Sequence, residues 1–371
     1  MYHRIQRETM NNEIMLLKGN EAIAHSAIRN GCDGFFGYPI TPQSEVLETL
    51  AVLKPWETTG MVVLQSESEL ASINMVYAGG ATGKCVMTSS SSPGVALMQE
   101  GISYMAACEI PGLIVSVQRG GPGLGTIQPS QSDYRQAVYG GGNGDYRVIV
   151  LAPNSVQEMA DSVGEAFRLM FKWRMPVMIL SDGAIGQMME KVVLPPFKPR
   201  RTDEEVRQQC PWAINGLGLL SRKPNFVSSL ELDAAVMEKR NRAMQEKYRA
   251  IEAEEVLYEE YMLDDAEYAI VAYGSSSRIS MGAIDQLREK GVKVGMLRPK
   301  TLWPFPEQRI GELGRQCHAL LTVEINEGQM VRDVRYAVAG QCPVEFFGHS
   351  GGVMPSPEEV VDKMESIINN R

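Results

Sequence analysis

The chain has no C-x-x-C pair: its six cysteines, Cys32, Cys85, Cys108, Cys210, Cys317 and Cys342, are scattered. Iron–sulfur and zinc sites need clustered thiolates, so the sequence predicts neither on this chain. The four histidines (His3, His25, His318, His349) lack H-E-x-x-H or any other ligand spacing, so no metal ligand is expected here. Any redox metal would belong to another chain. No apolar run approaches the ~20 residues that span a bilayer. There is no lysine- or arginine-rich run and the net charge is −9, which argues against nucleic acid and anionic membranes as partners. Neither a P-loop nor G-x-G-x-x-G occurs, which undercuts a free-standing nucleotide-binding protein. Met1–Glu13 is polar and of mixed charge, without the apolar core of a secretory signal. Met10 and Met15 are alternative starts, and a cytoplasmic location is the default expectation.

What is present is a soluble globular composition, 44% hydrophobic and 22% charged over 371 residues. That length suits two domains with buried cores. The stretch Val62–Gly94 organises the reading. An apolar run, Met61–Leu64, turns polar at Gln65-Ser66-Glu67-Ser68-Glu69. A helical segment, Leu70–Ala81, follows, and a second strand, Lys84–Thr88, runs into Ser89-Ser90-Ser91-Ser92-Pro93-Gly94. This is a βαβ unit with polar groups at the carboxyl ends of its strands, where open parallel sheets bind ligands. Two helix N-termini there offer free N–H groups to an anion. Each polar group also has a local role. Ser66 and Glu69 have capping-box spacing, and Ser92 before Pro93 reads as an N-cap with proline at the first helical position. Glu67 is left over; it either complements the helix dipole or does chemistry.

In chain order, Lys18–Asn30 reads as an amphipathic helix and Cys32–Tyr38 as a strand. Gly37-Tyr38-Pro39-Ile40-Thr41-Pro42 is held extended by its prolines, with Thr41 as cap of a helix Ser44–Leu53. Val95–Ala107 is a helix with a core-type Met/Leu face. Pro111–Gln118 is a strong strand entering Arg119-Gly120-Gly121-Pro122-Gly123-Leu124-Gly125. A lone cation there is costly unless it is paired or faces an anionic ligand. Strand Val148–Ala152, helix Ser155–Phe171 and strand Val177–Leu180 complete an α/β domain over residues 16–195, after an N-terminal extension, residues 1–15. Residues 196–265 read as a linker with a bridging helix in Leu230–Met262. In residues 266–371, strands at Tyr268–Tyr273, Val292–Arg298, Ala319–Val323 and Val344–Phe347 alternate with four helices. The fold class is therefore α/β, two doubly wound parallel-sheet domains.

Four motifs are more particular: Gly37–Pro42, Gln65-Ser66-Glu67, Thr88–Gly94 and Gln118–Gly123. With Leu297-Arg298-Pro299-Lys300-Thr301-Leu302-Trp303-Pro304-Phe305-Pro306, they resemble the thiamine-dependent 2-oxoacid:ferredoxin oxidoreductases over nearly all of Leu16–Arg371. The match is to the subunit carrying the pyrimidine-binding domain (16–195) and the transketolase C-terminal-like domain (266–371). Ser89–Gly94 with Leu97–Tyr104, and Gly123-Leu124-Gly125 leading to Pro129-Ser130-Gln131, resemble the branched-chain (2-ketoisovalerate) members most.

The resemblance implies that Glu67 contacts N1′ of the thiamine aminopyrimidine, where a carboxyl group tunes the cofactor's acid–base state. Tyr38, Pro39 and Ile40 would line the cofactor. Thr41, Ser91 and Ser92 would meet the substrate, and Arg119 would face its carboxylate, which a guanidinium can grip bidentately. Family members bind the diphosphate through magnesium with a G-D-G motif and a downstream asparagine. Here Ser181-Asp182-Gly183 lacks the first glycine and reads as a strand end. The resemblance therefore implies thiamine diphosphate shared with a diphosphate-binding subunit, and magnesium and iron–sulfur clusters only on partner subunits. A gamma subunit, a ferredoxin-type iron–sulfur subunit, ferredoxin and CoA as co-substrate complete the expected system. The expected reaction is oxidative decarboxylation of a branched-chain 2-oxoacid. Alternatives are the same chemistry on 2-oxoglutarate, or a non-catalytic scaffold, which retention of Thr41, Glu67 and Arg119 together disfavours.

Overall fold

A computed structural model describes residues 13–214 and 225–370. Most of the N-terminal extension and residues 215–224 of the linker lie outside the described residues. The strands are β1 (Ile14–Lys18), β2 (Gly34–Gly37), β3 (Val62–Gln65), β4 (Val86–Ser90), β5 (Gly112–Gln118), β6 (Ile149–Leu151) and β7 (Pro176–Asp182), then β8 (Met189–Val193), β9 (Tyr258–Tyr261), β10 (Tyr268–Val271), β11 (Val294–Pro299), β12 (Thr301–Trp303), β13 (Ala319–Glu324) and β14 (Val344–Gly348). A seven-stranded sheet has the order β12-β6-β7-β5-β4-β2-β3 and a five-stranded sheet the order β14-β13-β10-β11-β9.

Both sheets are parallel except at one edge each, where β12 and β9 pair antiparallel. The doubly wound α/β class holds, with these edges added. A two-stranded ribbon, β1 against β8, was not read from the sequence. β9 falls in the stretch read as linker, which also holds helices Asp203–Gln209 and Ala234–Glu254.

Burial explains the central strands. Every residue of β5 and of β7 is buried, as expected of parallel strands covered on both faces, and this is why Leu113-Ile114-Val115 is continuous rather than alternating. Helix Val156–Trp173 places Met159, Ala160, Val163, Ala166, Phe167 and Met170 on one buried face at three- and four-residue spacing. Ser155 caps it, accepting from Glu158 N at 3.1 Å. The Glu158 carboxylate does not close a capping box; one oxygen takes Asn154 N at 3.0 Å and both take Arg298.

That contact explains part of the Leu297–Pro306 motif. Arg298 on β11 is 1% exposed. It grips Glu158 through Nη1 and Nη2, both at 2.8 Å, and its Nε reaches Glu259 at 2.8 Å. Thr301–Trp303 then crosses to the first sheet as β12, beside β6. One apolar cluster runs through both units, joining Ile114, Val150 and Met159 to Leu302, Trp303 and Leu320, and the second unit has a further cluster of its own around Ile270, Ile284 and Val360.

Candidate active site

Along the carboxyl edge of the first sheet, β5, β4, β2 and β3 are successive neighbours. Their ends carry Arg119, then Ser91 and Ser92, then Tyr38–Thr41, then Glu67. Chain order reverses between β2 and β4, the topological switch point where open sheets bind ligands. Four segments separated in sequence thus meet on one rim.

Arg119 follows the fully buried strand β5 and is 8% exposed. Its Nη1 donates to the Thr41 carbonyl at 3.0 Å. Its Nε is buried without a hydrogen-bond partner, and no ion pair to it exists among the described residues. Thr41 itself is exposed, as are Tyr38 and Pro39; Ile40 is partly buried. Contrary to the sequence reading, Thr41 does not cap the next helix. Gln43 is the N-cap of Ser44–Leu53, without a side-chain bond. The Gln43 side chain instead links the ends of β4 and β2, accepting from Ser89 Oγ at 2.5 Å and donating to Tyr38 O at 3.2 Å.

The serine run also differs from expectation. Ser91, not Ser92, is the N-cap of the helix Ser92–Ala107 and forms no side-chain cap bond. Its hydroxyl is buried and unpartnered. Ser92 Oγ is turned to Arg119, accepting from Arg119 N at 3.0 Å, and it donates to Asp133. Gly94 is closely packed: a Cβ there would stand 2.1 Å from Ser90 Oγ and 2.6 Å from Glu69 Oε1, so both side chains would have to move.

Glu67 lies at the end of β3, the sheet's edge, exposed and with no hydrogen-bond or ion-pair partner among the described residues. Ser68, not Ser66, caps the helix Glu69–Ala81, accepting from Ala71 N at 3.2 Å. Ser66 is buried and bonds Ser68 O and Ser72, and Glu69 is buried beside Gly94. Of these four polar residues, the two serines are hydrogen-bonded, Glu69 is packed in the interior, and Glu67 alone is exposed without a partner among the described residues. Its edge strand and the segments beside it expose apolar side chains: Tyr38, Trp56, Val62, Leu64 and Leu70 are all more than a third exposed, an arrangement that on an edge strand marks an interface.

The loop after Arg119 is fixed at both ends. Gly120 N donates to Gln128 O and Thr126 N to Gly120 O. Gly125 has φ +58°, and a Cβ there would lie 1.7 Å from Gly120 O, so only glycine fits. Gln131 then clamps the loop to the second unit through Tyr273 O and Ile325 N. Sequence reasoning missed Asp133, Gln43 and Gln118. Gln118 accepts from Asp133 N at 3.0 Å and donates to Ser181 O at 3.2 Å. Burial raises the Asp133 carboxyl to about 6, and the Ser92 hydrogen bond offsets only part of this.

The residues fit one half of thiamine diphosphate. At the switch point between β2 and β4, Glu67 is a carboxyl group with no partner among the described residues, the kind of group that a ring nitrogen of an aminopyrimidine could engage. The acid that a metal–diphosphate motif would need is committed elsewhere. Asp182 Oδ1 takes Ala184 N, Ile185 N and Ser275 Oγ, at 2.9, 3.2 and 2.7 Å. Among the described residues no group of three or more potential metal ligands converges, and no helix is long and apolar enough to cross a membrane.

Residues 25–260 match the family described as pyruvate flavodoxin/ferredoxin oxidoreductase, thiamine diphosphate-binding, and residues 266–360 match the pyruvate:ferredoxin oxidoreductase core domain II. The chain belongs to the 2-oxoacid:ferredoxin oxidoreductase family. It is 47% identical to ketoisovalerate oxidoreductase subunit VorB of Methanothermobacter marburgensis, over 95% of this chain and 97% of that one. It is 35% identical to the 2-oxoglutarate synthase subunit KorA of the same organism, over 95% and 98%. Among solved structures, the oxidoreductase resembles a 2-oxoglutarate:ferredoxin oxidoreductase from Magnetococcus marinus with 2-oxoglutarate, coenzyme A and succinyl-CoA bound (TM-score 0.81, 27% identity). That match covers 96% of this chain and 66% of the solved one. A split-gene transketolase at TM-score 0.57 and 12% identity shares the fold.

Proposed function

We propose that this oxidoreductase subunit acts on a branched-chain 2-oxoacid of the 2-ketoisovalerate type. The acid, CoA and oxidised ferredoxin become acyl-CoA, CO₂ and reduced ferredoxin, the electron pair released on decarboxylation passing to ferredoxin. Thiamine diphosphate, when bound, supplies the carbanion chemistry.

This chain's residues hold and orient the reactants. Arg119 receives the substrate carboxylate. A buried guanidinium with one carbonyl partner and an unpaired Nε is the observation that carries the reading, since such a cation is costly without an anion. Thr41 and Ser91 offer hydroxyls at the same group of strand ends. Glu67 would hold a proton at the aminopyrimidine N1′, with Tyr38–Ile40 against the ring. Because Glu67 is exposed here, a partner must cover it before water is excluded from the reacting centre. The exposed apolar residues beside it support that arrangement. The partners are a diphosphate-binding subunit carrying magnesium, a gamma subunit and a ferredoxin-type iron–sulfur subunit, with ferredoxin as acceptor.

The substrate choice rests on the similarity to the ketoisovalerate subunit and on the rim's composition. Every 2-oxoacid presents the carboxylate that Arg119 serves, so selectivity lies at the distal end of the substrate. Thr88–Gly94 and Leu124–Ser132 contain no lysine or arginine to meet a second carboxylate. A steady-state comparison in the assembled complex tests this. Higher kcat/KM for 2-ketoisovalerate than for 2-oxoglutarate is expected, and the reverse order overturns the substrate while leaving the reaction class intact.

A further inference from the structure

We propose that Asp133 is a positioning residue for substrate binding, holding Arg119 at the carboxylate site through the hydroxyl of Ser92. This rests on the reading of Arg119 given above.

Four groups form a closed ring. Arg119 N donates to Ser92 Oγ at 3.0 Å, Ser92 Oγ–H donates to the Asp133 carboxylate, Asp133 N donates to Gln118 Oε1 at 3.0 Å, and Gln118 precedes Arg119 in the chain. The ring grips the main chain of Arg119, while Thr41 O holds the far end of its side chain. Between those two holds the guanidinium has little freedom left.

The direction of the hydrogen bonds matters. Ser92 has one proton and two available acceptors, the Asp133 carboxylate and Arg119 O at 3.2 Å. An ionised carboxylate only accepts. It draws the Ser92 proton to itself and leaves a Ser92 lone pair for Arg119 N–H. An amide at position 133 either accepts through its neutral oxygen, a weaker bond, or turns its N–H₂ to Ser92 and sends the serine proton to Arg119 O; either way the charge-assisted bond that fixes Ser92 is lost. No ion pair to Asp133 exists among the described residues, and a partly buried carboxylate with a raised pKa is a cost to the fold. That cost is hard to explain if the residue only caps the short helix Tyr134–Tyr139, for which it forms no side-chain cap bond.

The test uses the reconstituted multi-subunit enzyme with Asp133→Asn, Ser92→Ala, the double variant and Arg119→Met. Asp133→Asn should raise KM for the 2-oxoacid about tenfold, the scale of one lost hydrogen bond. The expected kcat stays within about threefold, and KM for CoA is unchanged. Ser92→Ala should do the same, and the double variant should be no worse than either single, because both break one relay. Unchanged 2-oxoacid KM in Asp133→Asn, a parallel rise in KM for CoA, or additive effects in the double variant would each overturn the proposal. Arg119→Met separates the two levels. If it leaves the 2-oxoacid KM unchanged, the reading of Arg119 fails; if it raises KM while Asp133→Asn does not, only the relay fails.

Discussion

Replacing Arg119 by methionine should divide function from stability. In the folded chain Arg119 is 8% exposed, its Nη1 has one carbonyl acceptor at 3.0 Å, and its buried Nε has none. Taking a cation out of water costs several kcal/mol, and one unpaired buried donor adds about 1–3 kcal/mol. Nothing on the described chain neutralises that charge. Methionine fills similar space without charge, and only Thr41 O loses a partner. The isolated chain should therefore keep its stability or gain up to about 3 kcal/mol, read by urea denaturation. In the assembled enzyme the substrate carboxylate would lose a charge-assisted hydrogen bond worth about 1.5–3 kcal/mol. That is a fall of about 10- to 150-fold in kcat/KM for every 2-oxoacid. A variant destabilised by more than about 1 kcal/mol with kcat/KM intact would refute the reasoning, because Arg119 would then be a structural residue.

Glu67→Gln should nearly abolish turnover, by about 10²–10⁴-fold, without disturbing assembly, whereas Glu69→Gln should cost only a dipole-sized ~0.3–1 kcal/mol. Equal kinetic losses in two folded variants would mean the wrong carboxylate was chosen. Thiamine diphosphate with magnesium should bind the isolated chain weakly, since Asp182 is already committed to Ala184, Ile185 and Ser275; tight stoichiometric binding in calorimetry by a verified monomer contradicts this. The Glu158–Arg298 clasp should appear in acid. Burial opposes ionisation of Glu158, but hydrogen bonds and charge from Arg298, with help from Lys300 and Asn154 N, hold it at about 2 against an ordinary 4.5. A depressed carboxyl stabilises above its unfolded pKa, so the contribution of about 3 kcal/mol is complete above pH ~5 and is lost as pH falls toward 2. Glu158→Gln should show a flatter stability profile over that window, and an identical profile would remove the clasp from the account.

The parts of the site that were legible in sequence are those whose signal is local. The unbroken run Leu113–Val117 marks a strand buried on both faces, and an arginine directly after it must face something. Glu67 stood out because its neighbours had other work, although that work was assigned to the wrong serine. Ser66 and Ser68 both precede a helix of suitable composition, and spacing alone favours Ser66. Burial of Ser66 against Ser72, and of Glu69 beneath Gly94, moves the cap to Ser68. Ser92 likewise looks like a cap until Arg119 and Asp133, 27 and 41 residues away, claim its hydroxyl. Asp133 could not be found from sequence, since an acid before a short helix reads as an N-cap and its real partners are set by the packing of β4 against β5. Thr301–Trp303 is too short to announce which sheet it will join.

That last strand bears on where the protein can be cut. The family matches fall either side of residues 261–265, which invites expression of two separate halves. In space the seam is interlaced. Residues 13–260 alone would lose β12 and leave the flank of β6 unpaired, and Glu158 would lose its arginine. The complementary piece would carry the buried Arg298 without Glu158 and without Glu259, which stays with the first half. An open strand edge invites pairing with other chains, and an unneutralised guanidinium resists refolding into an apolar seam. The two halves are thus one cooperative object whose inheritance, by fusion or by fission, has to carry the crossing strand along with the sheet it completes.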